Sequence, residues 1–287
     1  AILPEGGGTC YLAARANIYN GSGGRFENAR IKLVSTEKGS VSPAPVRREA
    51  GDAGPSLRYS YGSEEAVQER RVASAGTLST YELPRPLTME PGAMLHVQLC
   101  MAGSVPVTRF YVYDGVRFDR FQRNRRNDWN FGTEYHRTVE THLQFANGKD
   151  AGLGMDLPPG RFRLYQQKAD SSLDLVGEDY LQPTPAGATA TVLLGPARGI
   201  LGERERTGYS EVTPLHEYEE SFEIRLENNS SEEIEIRVVE HLYRWNQYEI
   251  VKADTDYKAT GPQTIEFRPV LKPGGKRAVH YTVRYRW

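Results

Sequence analysis

The six histidines are the residues in this sequence best suited to binding a metal ion or transferring a proton. His136 and His142 are six residues apart, so a continuous strand would place both on one face with Glu140 between them. The rise of a strand would separate them by about 20 Å, which is too far for both to bind one ion. A metal site would need a ligand from a second strand, and we instead predict solvent-facing polar residues here.

The usual catalytic motifs are missing from the sequence. It contains no Gly-x-Ser-x-Gly elbow, no phosphate-binding loop, no His-Glu-x-x-His helix and no Cys-x-x-Cys pair. Gly152 and Gly154 match the first two glycines of a dinucleotide fingerprint, but Leu157 occupies the third position. Asp254 and Asp256 supply two carboxylates without the other oxygen ligands that calcium requires. We therefore predict no catalytic residue, no metal and no cofactor.

The two cysteines, Cys10 and Cys100, bear on the compartment in which the protein works. A disulfide between them would close a loop of about 90 residues and stabilise the fold by roughly 4–5 kcal/mol in the chain-entropy model. The alternative is two unpaired thiols in a reducing cytosol. We favour the disulfide, which is typical of an extracytoplasmic protein in the periplasm, at the cell surface or in the secreted fraction.

The Arg/aromatic segment, Asp114 to Tyr135, interleaves arginines with large aromatic side chains. Both residue types are common at protein interfaces and stack on bases or sugars. The alternative is a solvated insertion whose aromatics cover its own sheet, and four acidic residues in the segment slightly favour that interpretation. If the chain has a partner-binding surface, we predict that it comprises Arg117, Phe118, Arg120, Phe121, Arg125, Trp129 and Phe131.

Composition limits both the fold and the partners. The 28 glycines and 17 prolines disfavour long helices, and the excess of 17 tyrosines over 9 phenylalanines and 3 tryptophans favours strands. A net charge of −1 argues against a generally basic nucleic-acid-binding protein. No run of apolar residues reaches the ~18 that a membrane-spanning helix needs. We therefore predict neither a nucleic-acid partner nor a membrane span.

Alternation with a period of two residues recurs along most of the chain. It is most regular near the end, where Phe222, Ile224 and Leu226 alternate with charged residues. Turn residues recur every ten residues or so, which is typical of antiparallel β-sandwiches. We predict an all-β fold, with a β-rich sandwich domain over residues 1–213 that carries long loops at 36–74 and 114–135. Residues 214–287 are predicted to form an immunoglobulin-like β-sandwich.

Five stretches of the sequence carry a resemblance to known proteins: Gly152–Tyr165, Leu175–Asp179, Glu220–Ile224, Val238–Trp245 and Tyr281–Trp287. They resemble a widespread bacterial family of secreted or envelope proteins whose C-terminal domain is catalogued as domain of unknown function four-one-three-nine. The resemblance runs from about residue 11 to 287 and is strongest from Leu143 onward. The family usually carries a further β-rich region upstream, so the chain resembles its C-terminal portion or a shortened member. The resemblance implies an all-β envelope protein and supplies no catalytic residues.

These observations together predict a noncatalytic extracytoplasmic protein that acts as a structural or interaction component of the cell envelope or extracellular matrix. Its partner would be another protein or a second copy of the chain. A carbohydrate-binding module is one alternative, since tyrosine and tryptophan on a sheet face can stack on sugars. A metal-dependent hydrolase, or a copper or zinc redox protein using His136 or His142, is another.

Overall fold

The protein is all-β, as predicted. A computed structural model describes residues 1–4, 7–36, 78–83, 85–116 and 128–287. Within these ranges the chain forms eighteen strands and one short 3₁₀ helix, Lys149–Ala151. None of the described helices is long and apolar enough to span a membrane. Most of the predicted loop at 36–74, and the centre of the one at 114–135, lie outside the described residues.

The strands follow one another with short connections over most of the described chain. They are β1 (Ile2–Leu3), β2 (Thr9–Tyr19), β3 (Phe26–Ala29), β4 (Lys32–Thr36), β5 (Leu78–Glu82), β6 (Leu87–Met89), β7 (Met94–Tyr113), β8 (Thr138–Ala146), β9 (Gly160–Gln167), β10 (Leu173–Leu181), β11 (Thr189–Thr213), β12 (Glu217–Asn228), β13 (Ile234–His241), β14 (Tyr248–Ala253), β15 (Tyr257–Gly261), β16 (Thr264–Phe267), β17 (Val270–Leu271) and β18 (Lys276–Arg286).

Fourteen strands form one hydrogen-bonded sheet. Its main path runs β10-β9-β1-β2-β7-β8-β11-β12-β18-β14, and β13, β15, β16 and β17 are joined to it beside β7. Two of the pairings, β1 with β9 and β7 with β13, are parallel. Two further sheets contain two strands each, β3 with β6 and β4 with β5.

The chain divides into two compact units. The first comprises residues 1–13, 101–155 and 160–287, and the second comprises 14–100 and 156–159. The predicted boundary between residues 213 and 214 falls inside the first unit, directly after β11. β11 is 25 residues long and pairs first with β8 and then with β12, so one strand joins the parts that the sequence pattern separates.

In the second unit, the side chain of Asn20 organises a turn after β2. Its amide nitrogen donates to the carbonyls of Gly24 at 2.7 Å and Glu90 at 3.0 Å. Its carbonyl oxygen accepts from the backbone N–H of Ser22 at 3.2 Å. A buried amide that satisfies several backbone groups fixes the chain direction as a cap would.

In the first unit, the alternation predicted near the end of the chain produces a large core. Phe222, Ile224 and Leu226 of β12 all lie on the buried face, in register with β18. They pack with side chains from β13 and β16, where Ile236 and Phe267 are fully buried. Burying apolar surface on this scale is the main favourable contribution to folding.

Tyr113, at the end of β7, belongs to the same core and is completely buried. Its ring packs against the backbone of Gly115 and of Gly202, where any Cβ would overlap the ring. Its hydroxyl donates to the carbonyl of His136 at 2.9 Å. Glycine is therefore required at both positions because the ring occupies the space of a side chain. The core formed by residues 214–287 thus extends to β7 and β11.

Both cysteines are free thiols, so the predicted disulfide is not formed. Cys100 lies beside Ala14, whose backbone hydrogen-bonds its thiol. Ala14 is four residues from Cys10 along β2, about 13 Å by strand rise, whereas a disulfide needs Cα atoms within about 7 Å. Burial raises the pKa of both thiols. The sequence argument relied on the number of cysteines and contained no information on strand register.

Candidate functional site

Two residues of the predicted partner-binding surface lie within the described part of the chain. Trp129 is 62% exposed, and Phe131, two residues later, is only 5% exposed. The other five, Arg117, Phe118, Arg120, Phe121 and Arg125, lie outside the described residues. The structure therefore describes the C-terminal base of the Arg/aromatic segment, residues 128–135.

Three arginines hold this base by its backbone carbonyls. Arg244 donates to the carbonyls of Asp128 at 2.9 Å and Phe131 at 3.2 Å. Arg204 donates to the carbonyl of Gly132 at 2.6 Å, and Arg206 donates to that of Trp129. We call Arg204, Arg206 and Arg244 the arginine clamp. Guanidinium groups present several donors in a rigid fork, so each of them can hold backbone and carboxylate oxygens together.

The strands account for the position of the clamp. Arg204 and Arg206 are two residues apart on β11 and so share a face, and Arg244 lies in the turn that follows β13. All three side chains are almost fully buried, at 2%, 7% and 1% exposure respectively. Burying a guanidinium is unfavourable unless a carboxylate pairs with it.

Glu240 neutralises Arg204. The Arg204 Nε donates to both carboxylate oxygens of Glu240, at 3.0 and 2.9 Å, and the Tyr281 hydroxyl donates to Glu240 Oε2 at 2.6 Å. Burial alone would lower the pKa of Arg204, but the charge and hydrogen bonds of Glu240 raise it above its usual range. Arg204 therefore stays charged in the interior.

Glu220 pairs with both of the other arginines of the clamp. It accepts from Arg244 Nε and Nη2, each at 2.8 Å, and from Arg206 Nη1 at 3.0 Å. Burial acts to lower the pKa of Arg244, whereas the hydrogen bonds and charge of Glu220 raise it. The clamp and its two glutamates thus bury five charged groups next to the base of the Arg/aromatic segment.

Aromatic rings cover the guanidinium groups. The Arg206 guanidinium lies 5.5 Å from the centroid of the Trp129 ring and 4.8 Å from that of Tyr209. The Arg244 guanidinium lies 5.5 Å from the centroid of Phe131. Cation–π contacts of this kind contribute roughly 0.5–2 kcal/mol, with the larger values where water is excluded. They fix the Trp129 indole while leaving most of its surface exposed.

The space enclosed among the clamp residues is small. A cavity of about 10 Å³ is bounded by Phe131, Gly132, Arg204 and Arg244 together with their carboxylate and aromatic partners. That volume accommodates roughly one water molecule. The site therefore has no room for a substrate, and its geometry suits holding a backbone segment in place.

A hydroxyl, an imidazole and a carboxylate do approach one another at the edge of this region. His241 Nε2 lies 2.9 Å from Asp114 Oδ2, and its Nδ1 lies 3.5 Å from the hydroxyl of Thr264. A separation of 3.5 Å is at the limit of a hydrogen bond and does not indicate an activated nucleophile. The geometry does not support hydrolytic catalysis by Thr264.

The two histidines singled out by the sequence have separate environments. His142 pairs with Glu140 at 3.2 Å and stacks on Phe110 with ring centroids 5.3 Å apart. The Nδ1 of His136 is buried, with no hydrogen-bond partner in the described ranges. Within those ranges, no group of three His, Cys, Asp or Glu side chains is arranged to hold a metal ion.

The raised pKa values of two buried tyrosines near the clamp lead us to expect a loss of stability at alkaline pH. Burial, followed by the charge of Glu220, raises the pKa of Tyr285 well above its usual value, and burial with the charge of Glu240 does the same for Tyr281. Tyrosines of the unfolded chain ionise near about pH 10 while these two stay protonated, so the folded state binds more protons. The stability they contribute is complete below about pH 10 and decreases as the pH rises further.

Urea unfolding followed between about pH 8 and 11 measures this effect. Tyr285→Phe should make the decrease in the free energy of unfolding shallower, because one buried ionisable group is removed. The control is Tyr257→Phe, since Tyr257 is 45% exposed. Equal pH dependence in the two variants would contradict the prediction.

Sequence reasoning selected Trp129 and Phe131 but not the arginine clamp or its glutamates. The available signal was the position of Glu220, which occupies the same phase of the alternation as Tyr218 and Phe222 on β12. A charged residue in phase with an apolar face indicates a buried ion pair.

No protein family, curated protein or solved structure matches the chain. The resemblance to the secreted and envelope family therefore stays an expectation.

Proposed function

We propose that the protein is a noncatalytic structural or interaction component of the cell envelope or extracellular matrix, and that the Arg/aromatic segment binds its partner. The observation that supports this most directly is the arginine clamp, which holds four backbone carbonyls at the base of the segment. The clamp leaves Trp129, at 62% exposure, facing solvent. Tryptophan and arginine are the residues most enriched at interface hot spots.

The energetics of the clamp favour a positioning role over a stabilising one. Buried ion pairs contribute little net stability, because the cost of removing the charges from water offsets their attraction. Replacement of such pairs by apolar side chains is often neutral or stabilising. A network of five buried charged groups is therefore better explained by what it positions, and what it positions is the backbone from Asp128 to Gly132.

The location and the finer fold assignment are also proposals. The extracytoplasmic location is supported by the resemblance alone, because the two free thiols remove the disulfide from that argument. An immunoglobulin-like sandwich over residues 214–287 is supported by the shared core of β12, β18, β13 and β16. The contribution of Tyr113 to that core means that such a unit would include the end of β7.

Association of the native protein tests the proposed function. We expect Trp129→Ser to weaken self-association or capture of the copurifying partner by about tenfold or more, the effect of losing a hot-spot tryptophan. Sedimentation velocity measures self-association, and quantitative affinity capture from the source organism measures partner binding.

The matched control is Tyr19→Ser, because Tyr19 is an aromatic residue with nearly the same exposure, 63%. Tyr19→Ser should keep the wild-type melting temperature, since surface substitutions change stability little. Trp129→Ser should stay folded with a slightly lower melting temperature, because it also removes the cation–π contact with Arg206. If Trp129→Ser and Tyr19→Ser associate as the wild type does, the assignment of this surface is wrong.

A further inference from the structure

A groove of about 460 Å³ lies in the first unit, away from the arginine clamp. It is lined by residues of β7, β8, β9, β10 and β11. Its volume falls within the range of small-molecule sites, which is roughly 300–1,000 Å³. The groove differs in this respect from the cavity within the clamp, which holds about one water.

β11 is irregular where it lines the groove. The register of β11 against β8 shifts between Leu193 and Gly195 and again between Pro196 and Leu201. Gly195 and Gly199 have φ angles of 116° and 74°, which side-chain-bearing residues rarely adopt. β11 therefore separates from β8 over this stretch, which leaves space beside β11. Such bulges are over-represented next to functional sites.

Contacts between β10 and β11 close the groove on one side. A Cβ on Gly177 of β10 would lie 2.7 Å from the carbonyl oxygen and 2.8 Å from the Cα of Leu194. The Asp179 carboxylate accepts from the backbone N–H of Leu193 at 2.7 Å. These contacts fix the distance between β10 and β11, so the groove is a preformed feature of the fold.

The groove carries two guanidinium groups without a countercharge. Arg109 and Arg198 both line it, and neither forms a salt bridge with any residue of the described ranges. The single acidic residue in the lining, Asp174, is already paired with Lys168 at 2.6 Å. By contrast, Arg161 and Arg163 on neighbouring β9 both pair with Glu178. The lining is therefore positively charged at the groove itself.

Apolar side chains form the rest of the wall. Leu175 and Val176 line the groove and are 56% and 40% exposed, although their strand is otherwise rich in charged residues. Leu194 and Pro196 of β11 also line it. Exposed aliphatic side chains beside two unpaired arginines match a ligand with an anionic group at one end and an apolar body.

We propose that this groove binds a small amphipathic organic anion, with its carboxylate held by Arg109 and Arg198 and its apolar body against Leu175, Val176 and Leu194. The arginines supply the charge-assisted hydrogen bonds and the aliphatic residues supply the apolar contact area. This site is independent of the surface around Trp129, and its occupant is a small molecule.

Isothermal titration calorimetry of the full chain with octanoate and with 4-phenylbutyrate tests the proposal, with octanol as the uncharged counterpart. We expect at least one of the two carboxylates to bind at millimolar concentration or below, and octanol to bind about tenfold more weakly or not at all. The double variant Arg109→Gln/Arg198→Gln should lose about tenfold or more in carboxylate affinity.

The matched control is Arg137→Gln/Arg277→Gln, which removes two exposed arginines that form no salt bridge within the described residues. It should bind the carboxylates within about twofold of the wild type, because neither arginine lines the groove. The proposal is overturned if neither carboxylate binds, if octanol binds as tightly, or if the two double variants behave alike.

Discussion

Replacing Glu240 with alanine lowers the free energy of unfolding by about 3–5 kcal/mol, the usual effect of removing one partner from a buried ion pair. Glu240 is completely buried, and its carboxylate accepts from Arg204 and from the Tyr281 hydroxyl. The substitution leaves the Arg204 guanidinium in the interior without its counterion. Urea unfolding at neutral pH measures the change as a shift in the transition midpoint.

Glu235→Ala is the matched control, because Glu235 is a glutamate on the same strand, β13. Its carboxylate pairs with Arg268 at 3.4 Å, but both side chains are nearly half exposed. Exposed pairs contribute about 0–1 kcal/mol, so the control should lose little stability. The double variant Arg204→Met/Glu240→Leu should recover most of the loss, because it removes both charges. A loss from Glu240→Ala no greater than that of the control would show that the pair is not buried as described.

Arg244→Met should cost about 3 kcal/mol of stability and loosen the base of the Arg/aromatic segment. The loss is expected to be smaller than for Glu240→Ala, because Arg206 still pairs with Glu220. The variant loses the donors to the carbonyls of Asp128 and Phe131. Amide hydrogen exchange should therefore accelerate at the turn where the Phe131 N–H donates to Asp128.

Arg268→Met serves as the control, since Arg268 is 49% exposed and pairs with Glu235 and Glu266 rather than with the base of the segment. It should leave exchange at residues 128–133 unchanged. The proposed function adds a second readout, since Arg244→Met should weaken association although Trp129 itself is intact. Wild-type exchange and association in Arg244→Met would refute the positioning role of the clamp.

The period-two alternation predicts the strands because it reports directly which side chains face a core. The same alternation contains an unused signal for two buried glutamates, since Glu220 is in phase with Phe222, and Glu240 is in phase with Ile236 and Val238. The pattern is not sufficient to identify their partners. Arg206 comes from β11, and only the pairing of β11 with β12 brings it beside Glu220. Arg204, also from β11, pairs instead with Glu240 of β13. Strand register is decided by contacts distant in sequence, which a single sequence does not reveal.

The cysteines and the groove illustrate the same limit. Cys10 and Cys100 are both on long strands, and their position along each strand decides whether the sulfur atoms can meet. Arg109 and Arg198 are unremarkable surface arginines in the sequence, separated by 89 positions. Their proximity to one groove depends on the bulges of β11, which glycines at 195 and 199 permit. The two glycines predict an irregular backbone in β11, but they do not indicate which strands or side chains lie next to it.

The parallel pairing of β7 with β13 has a consequence for synthesis of the chain. Tyr111 and Tyr113 pair with Ile236 and Val238, which are synthesised 125 residues later. At typical elongation rates of about 5–20 residues per second, this side of β7 stays unpaired on the ribosome for on the order of 10 s. An apolar strand edge exposed for that long is a site for intermolecular aggregation. The nascent chain is therefore expected to depend on chaperone binding near β7 until β13 has emerged.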